Sequence, residues 1–218
     1  MELNSGMNKV RQLIKNNFSV IITIFSIFFL RTAVADWNHV PSGSMEPNLY
    51  DGDWLIVNKT EYGPTIPFVN VRLFMSDSPK RGDVITFVPP HTSDLYVKRV
   101  IGIPGDKITF SGRELSVNGQ QIESTVISRD HVKEVSLELI GKRKHLIQYS
   151  KTGRLPSSEQ TIVVPEDKYF VLGDHRNNSA DSRYWGFVES DNIMGKVTYV
   201  AFSTSNERVK DRFAIAIQ

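Results

Sequence analysis

Three short stretches of this 218-residue chain carry side chains that could do chemistry. In Pro41-Ser42-Gly43-Ser44-Met45-Glu46-Pro47-Asn48-Leu49, two serines flank a glycine between prolines. Such a constrained loop can present a hydroxyl and bare backbone N–H groups. An S-G-S stretch is also an ordinary turn in a β protein, and this one lacks the G-x-S-x-G of a strained nucleophile elbow. In Tyr96-Val97-Lys98-Arg99-Val100-Ile101-Gly102-Ile103-Pro104-Gly105-Asp106, a lysine sits inside an apolar strand. Strand alternation sends Lys98 and Arg99 to opposite faces, so at least one cation meets a partly desolvated environment. One reading is an edge-strand lysine that discourages aggregation. The other is a lysine whose pKa falls on burial until it works as a neutral base. The third stretch, Gly173-Asp174-His175-Arg176-Asn177-Asn178-Ser179-Ala180-Asp181-Ser182-Arg183-Tyr184-Trp185-Gly186, is too polar to be satisfied within a strand. It reads as a hydrogen-bonded loop that fixes something.

A serine hydroxyl becomes nucleophilic only when a positioned base takes its proton. Two bases compete for a serine of the 41–49 loop: Lys98, with apolar flanks that favour its neutral form, and His175, with Asp174 as its neighbour. Adjacent side chains in an extended segment point apart, which argues against that Asp–His pair. There is no cysteine, so thiol nucleophiles and thiolate metal sites are excluded. The five histidines (39, 91, 131, 145 and 175) lack ligand-like spacing, and no phosphate-cradling glycine loop occurs, so no metal or cofactor is expected.

The elements that must position these groups are mostly β. Residues 54–58, 84–88, 95–101, 161–164, 169–172 and 193–202 are β-branched and aromatic runs bounded by turn formers. Asn118-Gly119 is a type I′ hairpin signal, and Pro104-Gly105 suggests a type II turn. A weak helical period touches 131–140, and the polar stretch 124–160 reads as a solvated excursion.

Residues 18–30, FSVIITIFSIFFL, carry no charge and lead through Arg31 to Thr32-Ala33-Val34-Ala35. A helix over 18–35 would span roughly 27 Å, close to the ~30 Å of a bilayer core. Arg31 would snorkel and Trp37 would lie at the interface. Ala33-Val34-Ala35 also has the small-x-small form of a cleavable signal. Of 26 basic and 24 acidic residues, three and one fall in 1–17, leaving 23 of each in the body. With the surplus confined to the tail, nucleic acid is not an expected partner, and the tail is expected to stay in the cytoplasm.

Together PSGSMEPNL (41–49), RGDVITF (81–87), YVKRVIGIPGD (96–106) and GDHRNNSADSR (173–183) resemble the bacterial type I signal peptidases, membrane-bound Ser–Lys peptidases. The motifs stand in the family's order just after an apolar segment. Asn48 replaces a common Thr, His175 a common Asn, and a single apolar segment stands where many members have two spans. The resemblance implies Ser44 as nucleophile, Lys98 as general base, and the Ser42 hydroxyl with the Ser44 N–H as oxyanion hole. It further implies Ser179 as the group orienting the lysine, Asp181 and Arg183 as a structural ion pair, and shallow pockets for small residues at −1 and −3 of the substrate. The matching pocket positions are Val40, Pro41, Met45, Leu49, Tyr96 and Val97.

The expected organisation is a basic cytoplasmic tail (1–17), a transmembrane anchor (18–35), and a twisted antiparallel β core in two parts (36–106 and 164–218) around an inserted smaller β domain (107–163). The expected function is removal of N-terminal signal peptides from exported preproteins. It would take place at the outer face of a bacterial plasma membrane, by a single-pass and monomeric enzyme that retains residues 1–35. A specialised maturation peptidase of the same fold and a catalytically silent, membrane-tethered β binding module are the alternatives.

Overall fold

The computed structural model describes residues 11–12, 14–63, 65–66, 71–72, 77–156, 158–204 and 212–217, with backbone alone at 27–34, 65–66 and 71–72. Lys9 of the basic tail lies outside them. Helix α1 (Phe18–Val34) runs into β1 (Ala35–His39), because Ala35 leaves helical geometry for the extended region. β1 pairs with β2 (Asp53–Asn58) from Ala35↔Asn58 to His39↔Trp54. The expected helix over 18–35 is thus one residue shorter, since Ala35 is drawn into the sheet. At 17 residues it spans roughly 25 Å. Among the described residues, no helix is long and apolar enough to cross a membrane.

Two-residue strands β3 (Thr65–Ile66) and β4 (Val71–Arg72) pair with each other. β5 (Val84–Phe87) and β6 (Tyr96–Gly102) pair antiparallel, Ile85 opposite Lys98. β7 (Lys107–Ser111), β8 (Glu114–Val117) and β9 (Gln120–Gln121) make a meander whose tight turn has positive φ at Asn118 and Gly119, as a type I′ turn requires. β10 (Ser124–Arg129), β11 (Lys133–Ile140) and β12 (Arg143–Ser150) form a second meander. β13 (Gln160–Val163) pairs with β7, and β14 (Lys168–Leu172) returns the chain to the main sheet. After it come α2 (Ser182–Trp185), β15 (Val188–Glu189), the long β16 (Ile193–Ser203) and β17 (Ile215–Ala216).

The main sheet has the order β1-β2-β16-β5-β6-β14-β15, with β17 also on β16, and its strand pairs are antiparallel. The protein is therefore mostly β, as its β-branched runs require. Val40, Met45, Leu49, Leu55, Val57, Val84, Val97, Val197 and Val200 form a core directly beneath the Ser42–Ser44 loop. Removing that much apolar surface from water holds the loop to the sheet. Two further clusters line β5–β6–β14 and the β7–β8 side.

The stretch 131–140 is a strand and not a helix. Its hydrophobic period misleads because the buried positions of β11 are Glu134, Ser136, Glu138 and Ile140, so polar groups occupy most of the inward face. They are satisfied there: Glu138 receives the Arg176 guanidinium through both oxygens, at 2.6 Å for the longer bond, and Glu134 receives Arg113 at 2.7 Å. For the same reason 124–160 is not simply a solvated excursion. β10 is exposed throughout, whereas β12 lies against the 173–177 loop, with Gln148 N–H donating to the Asp174 carbonyl at 2.8 Å.

Candidate active site

The Ser44 loop is a single 3-10 turn, Gly43–Met45, that ties Glu46 N–H to the Gly43 carbonyl at 3.1 Å and buries Met45 in the core below. Its side chain faces β6. Lys98 Nζ lies 2.7 Å from Ser44 Oγ and donates to the Val97 carbonyl at 3.0 Å. Ser42 Oγ is 3.3 Å from Ser44 Oγ. Lys98 and Arg99 are both buried, on the two faces of β6, so the strand carries two desolvated cations with different fates.

Arg99 is neutralised. Its guanidinium meets both oxygens of buried Asp174 at 2.8 Å each, and also donates to the Gly82 carbonyl at 2.8 Å. Lys98 makes no ion pair of that kind. Burial drives its pKa down from 10.5 to about 8, against a weaker upward pull from Asp181 and Asp174. A measurable fraction of the amine is therefore neutral near pH 7 to 8, and a neutral amine beside a serine hydroxyl can accept its proton.

Asp174 and His175 do not form a triad with Ser44. Asp174 turns to Arg99, while His175 Nδ1 approaches the Gly43 carbonyl at 3.2 Å and Nε2 approaches Ser150 Oγ at 2.5 Å. Asp181 accepts the Arg183 guanidinium at 2.8 and 2.7 Å and the Gly173 N–H at 3.1 Å, which closes the polar loop on itself. Gly173 is needed for close approach: a Cβ there would lie 2.2 Å from Ser179 Oγ and 2.5 Å from the Ser44 carbonyl oxygen. The Ser179 hydroxyl is buried without a hydrogen-bond partner, and the second contact of the lysine amine is the Val97 carbonyl. Ser179 is thus beside the site without holding the amine.

Ser42, Ser44 and Lys98 open onto a cavity of about 570 Å³, lined also by Val40, Pro41, Met45, Asp94, Leu95, Tyr96, Val97 and Ala180. Five of the six positions expected to form the substrate pockets are present. Leu49 is not among them: it is fully buried in the core under the loop. Asp94, Leu95 and Ala180 escaped the sequence reading. Asp94 and Leu95 precede the β6 run, and nothing in their type marks them. Ala180 could have been suspected from its place between Ser179 and Asp181. Asn48, also overlooked as a contact, donates to Asp174 Oδ2 at 2.7 Å and to the Leu146 carbonyl at 2.6 Å, joining the loop to β12.

A family model described as signal peptidase, peptidase S26, matches residues 11–202. The chain is 31% identical to signal peptidase I of Pseudomonas aeruginosa, over 94% of its own length and 78% of that protein. It is 33% identical to that of Pseudomonas fluorescens, with 90% and 75% covered, and 30% identical to that of Buchnera aphidicola subsp. Baizongia pistaciae, with 88% and 77% covered. The crystal structure of a signal peptidase I from Enterococcus faecalis aligns with a TM-score of 0.37 at 28% identity, covering 56% of this chain and 98% of that one. With a family match over most of its length and a serine hydroxyl held against a desolvated lysine, the chain belongs to the signal peptidases of family S26.

Proposed function

We propose that this enzyme removes signal peptides from preproteins with Ser44 as nucleophile and Lys98 as general base. The observation that carries the reading is the desolvated Lys98 amine 2.7 Å from Ser44 Oγ, on the floor of a largely apolar cavity. Neutral Lys98 takes the hydroxyl proton as Ser44 Oγ attacks the scissile carbonyl. The negative charge that develops on the carbonyl oxygen is met by the Ser44 N–H and by the Ser42 hydroxyl, turned from its resting contact with Ser44 Oγ. The lysine ammonium then protonates the leaving amine. Neutral again, it deprotonates the water that hydrolyses the acyl-enzyme.

The cavity walls set what can bind. Val40, Pro41, Met45, Tyr96 and Val97 leave shallow apolar room near the reacting groups, which fits small side chains at −1 and −3 and rejects bulk sterically.

The enzyme works at a membrane surface, with α1 as the anchor and the β body on the outer face. Phe18, Ile22, Ile24 and Phe25 of α1 are exposed, with nothing in the described residues covering them. At the foot of the helix, Trp37, Trp54 and Phe202 form an aromatic group, Trp54 stacked on Phe202 at 5.7 Å and Trp37 edge-on to it at 6.2 Å. Such rings suit the headgroup region. The helix is short for a bilayer, and flanking residues would complete the span. Nine residues at most separate Ala35 from Ser44, which keeps the nucleophile within roughly 30 Å of the helix end.

The test is cleavage of a preprotein in detergent or vesicles, read by mass spectrometry. Cleavage after an Ala-x-Ala junction, abolished by Ser44→Ala and blocked by Trp at −1, supports the reading. Cleavage that survives Ser44→Ala overturns it.

A further inference from the structure

We propose that His175 is a positioning residue for the oxyanion hole: its imidazole Nδ1–H holds the Gly43 carbonyl and thereby aims the Ser44 N–H into the substrate cavity. The proposal deepens the reading of Ser44 as nucleophile and rests on it.

The argument starts from one peptide unit. The N–H of Ser44 and the C=O of Gly43 belong to the same planar group. That bond is trans, the only cis bond described being Glu46–Pro47. In a trans peptide the C=O and N–H point in opposite directions, so whatever fixes the carbonyl also fixes the amide. The Gly43 carbonyl accepts two hydrogen bonds, from Glu46 N–H at 3.1 Å within the 3-10 turn and from His175 Nδ1 at 3.2 Å. Ser44 lines the cavity and His175 does not. The imidazole therefore pulls the carbonyl to the far side of the loop, and the amide faces the cavity.

The ring has little freedom to do otherwise. His175 is 6% exposed, and its own N–H donates to the Ser44 carbonyl at 3.1 Å. A carbonyl oxygen can only accept, so Nδ1 must carry the hydrogen. Ser150 Oγ, 2.5 Å from Nε2, can serve that nitrogen in either protonation state, because a hydroxyl both donates and accepts. Ser150 ends β12, the strand whose Gln148 also donates to Glu46 Oε2 at 3.2 Å. Strand β12 thus reaches the oxyanion peptide through His175 and the following turn through Gln148. Without the imidazole, Gly43 keeps a single restraint at a residue with no side chain to limit its rotation. The amide would then spend part of its time out of line with the developing charge, which affects the transition state more than the bound substrate.

The experiment is steady-state cleavage of a signal-peptide substrate by full-length wild type and by His175→Leu, His175→Asn and His175→Gln. Asn can place its amide nitrogen where Nδ1 stands, whereas Gln places its own nearer Nε2. His175→Leu is expected to lower kcat ten- to hundred-fold with KM changed less than about two-fold. His175→Asn is expected to recover most of that loss, and His175→Gln little of it. Recovery by Gln as good as by Asn, an undiminished kcat in the Leu variant, or a loss lying in KM overturns the proposal. Should the Leu variant fail to fold, the comparison of Asn with Gln decides alone. A wild type that cleaves nothing would instead overturn the reading of Ser44, and this proposal with it.

Discussion

Burial is what separates the two adjacent cations of β6. Arg99 is paid for by Asp174, while the Lys98 amine is left with a serine hydroxyl and a carbonyl, so its proton is the one that can be lost. Activity should accordingly rise with pH and level off above a controlling pKa near 8, well above the ~6.5 of histidine. A plateau reached near pH 6 would point to an imidazole base. Lys98→Ala should abolish turnover under the same assay. Because folding lowers this pKa, the folded state binds fewer protons than the unfolded one between pH 8 and 10.5. The resulting penalty is full below pH 8 and fades as pH rises to 10.5. Lys98→Met should therefore raise stability at pH 7, by about 3 kcal/mol at most, and by much less near pH 10.5, as read by denaturant melts. Ser42→Ala should lower kcat about 10²–10³-fold with little change in KM, as for the loss of one oxyanion donor. Equal losses in both parameters would assign that hydroxyl to substrate binding.

At the level of elements, the site is a junction of three pieces far apart in the chain: the 3-10 turn after β1, strand β6, and the loop between β14 and α2. At Gly173 the loop comes up against the Ser44 backbone of the turn. Gly173→Ala should cut turnover severely, because the added methyl can be accommodated only by moving both the Ser44 carbonyl and the Ser179 side chain. Active-site titration alongside a thermal melt would show whether the lesion lies in the site or in folding. Strand β11 is locked to the same junction from outside by Glu138 and Arg176, whose side chains are both 3% exposed. Arg176 and His145 hold the Glu138 carboxyl down at about 2 in spite of its burial. Its contribution to stability is present above the ordinary carboxylate range and is lost as pH falls toward 2. Glu138→Leu should destabilise by about 3–5 kcal/mol, since it strands a buried guanidinium. Replacing both partners by apolar residues should restore most of that loss, which a double-mutant cycle on denaturant midpoints would measure.

For the whole molecule, the proposed arrangement is a β body held at a lipid surface by α1 and the aromatic group of Trp37, Trp54 and Phe202. Deleting residues 1–34 should leave cleavage of a short, soluble signal peptide largely intact while greatly reducing processing of a preprotein in vesicles. Serine at all three aromatic positions should then lower flotation of the truncated body with phospholipid vesicles. Flotation unchanged by that triple substitution would remove those rings from the surface contact. N-terminal sequencing of protein taken from membranes should find residues 1–35 still attached, and a start at Asp36 would show that Ala33-Val34-Ala35 is cut.

Residue type and local order were enough to mark Lys98 and His175 as rival bases beside the 41–49 serines and to read the strands built from β-branched runs. The Ser44–Lys98 pairing and the cavity wall came from the resemblance of four motifs to the signal peptidases. A hydroxyl between prolines and a cation inside an apolar run are local statements, and β propensity and turn chemistry act over a few residues. The character of β11 was hidden because its inward face carries Glu134, Ser136 and Glu138. Arg129 reaches Glu134 from within the same hairpin, but Arg113 and above all Arg176, the partner of Glu138, come from outside it, and only the assembled fold brings them. Leu49 has the residue type of a pocket wall, yet the turn carries it into the core. Ser179 sits in the right motif, yet its hydroxyl makes no hydrogen bond, and the Lys98 amine donates to the Val97 carbonyl instead. The division of labour between Asp174 and His175, one turned to Arg99 and the other to Gly43, likewise depends on backbone direction across more than 70 residues of separation. Contacts of that range are fixed by strand register and by the burial of apolar faces, which tertiary structure alone decides.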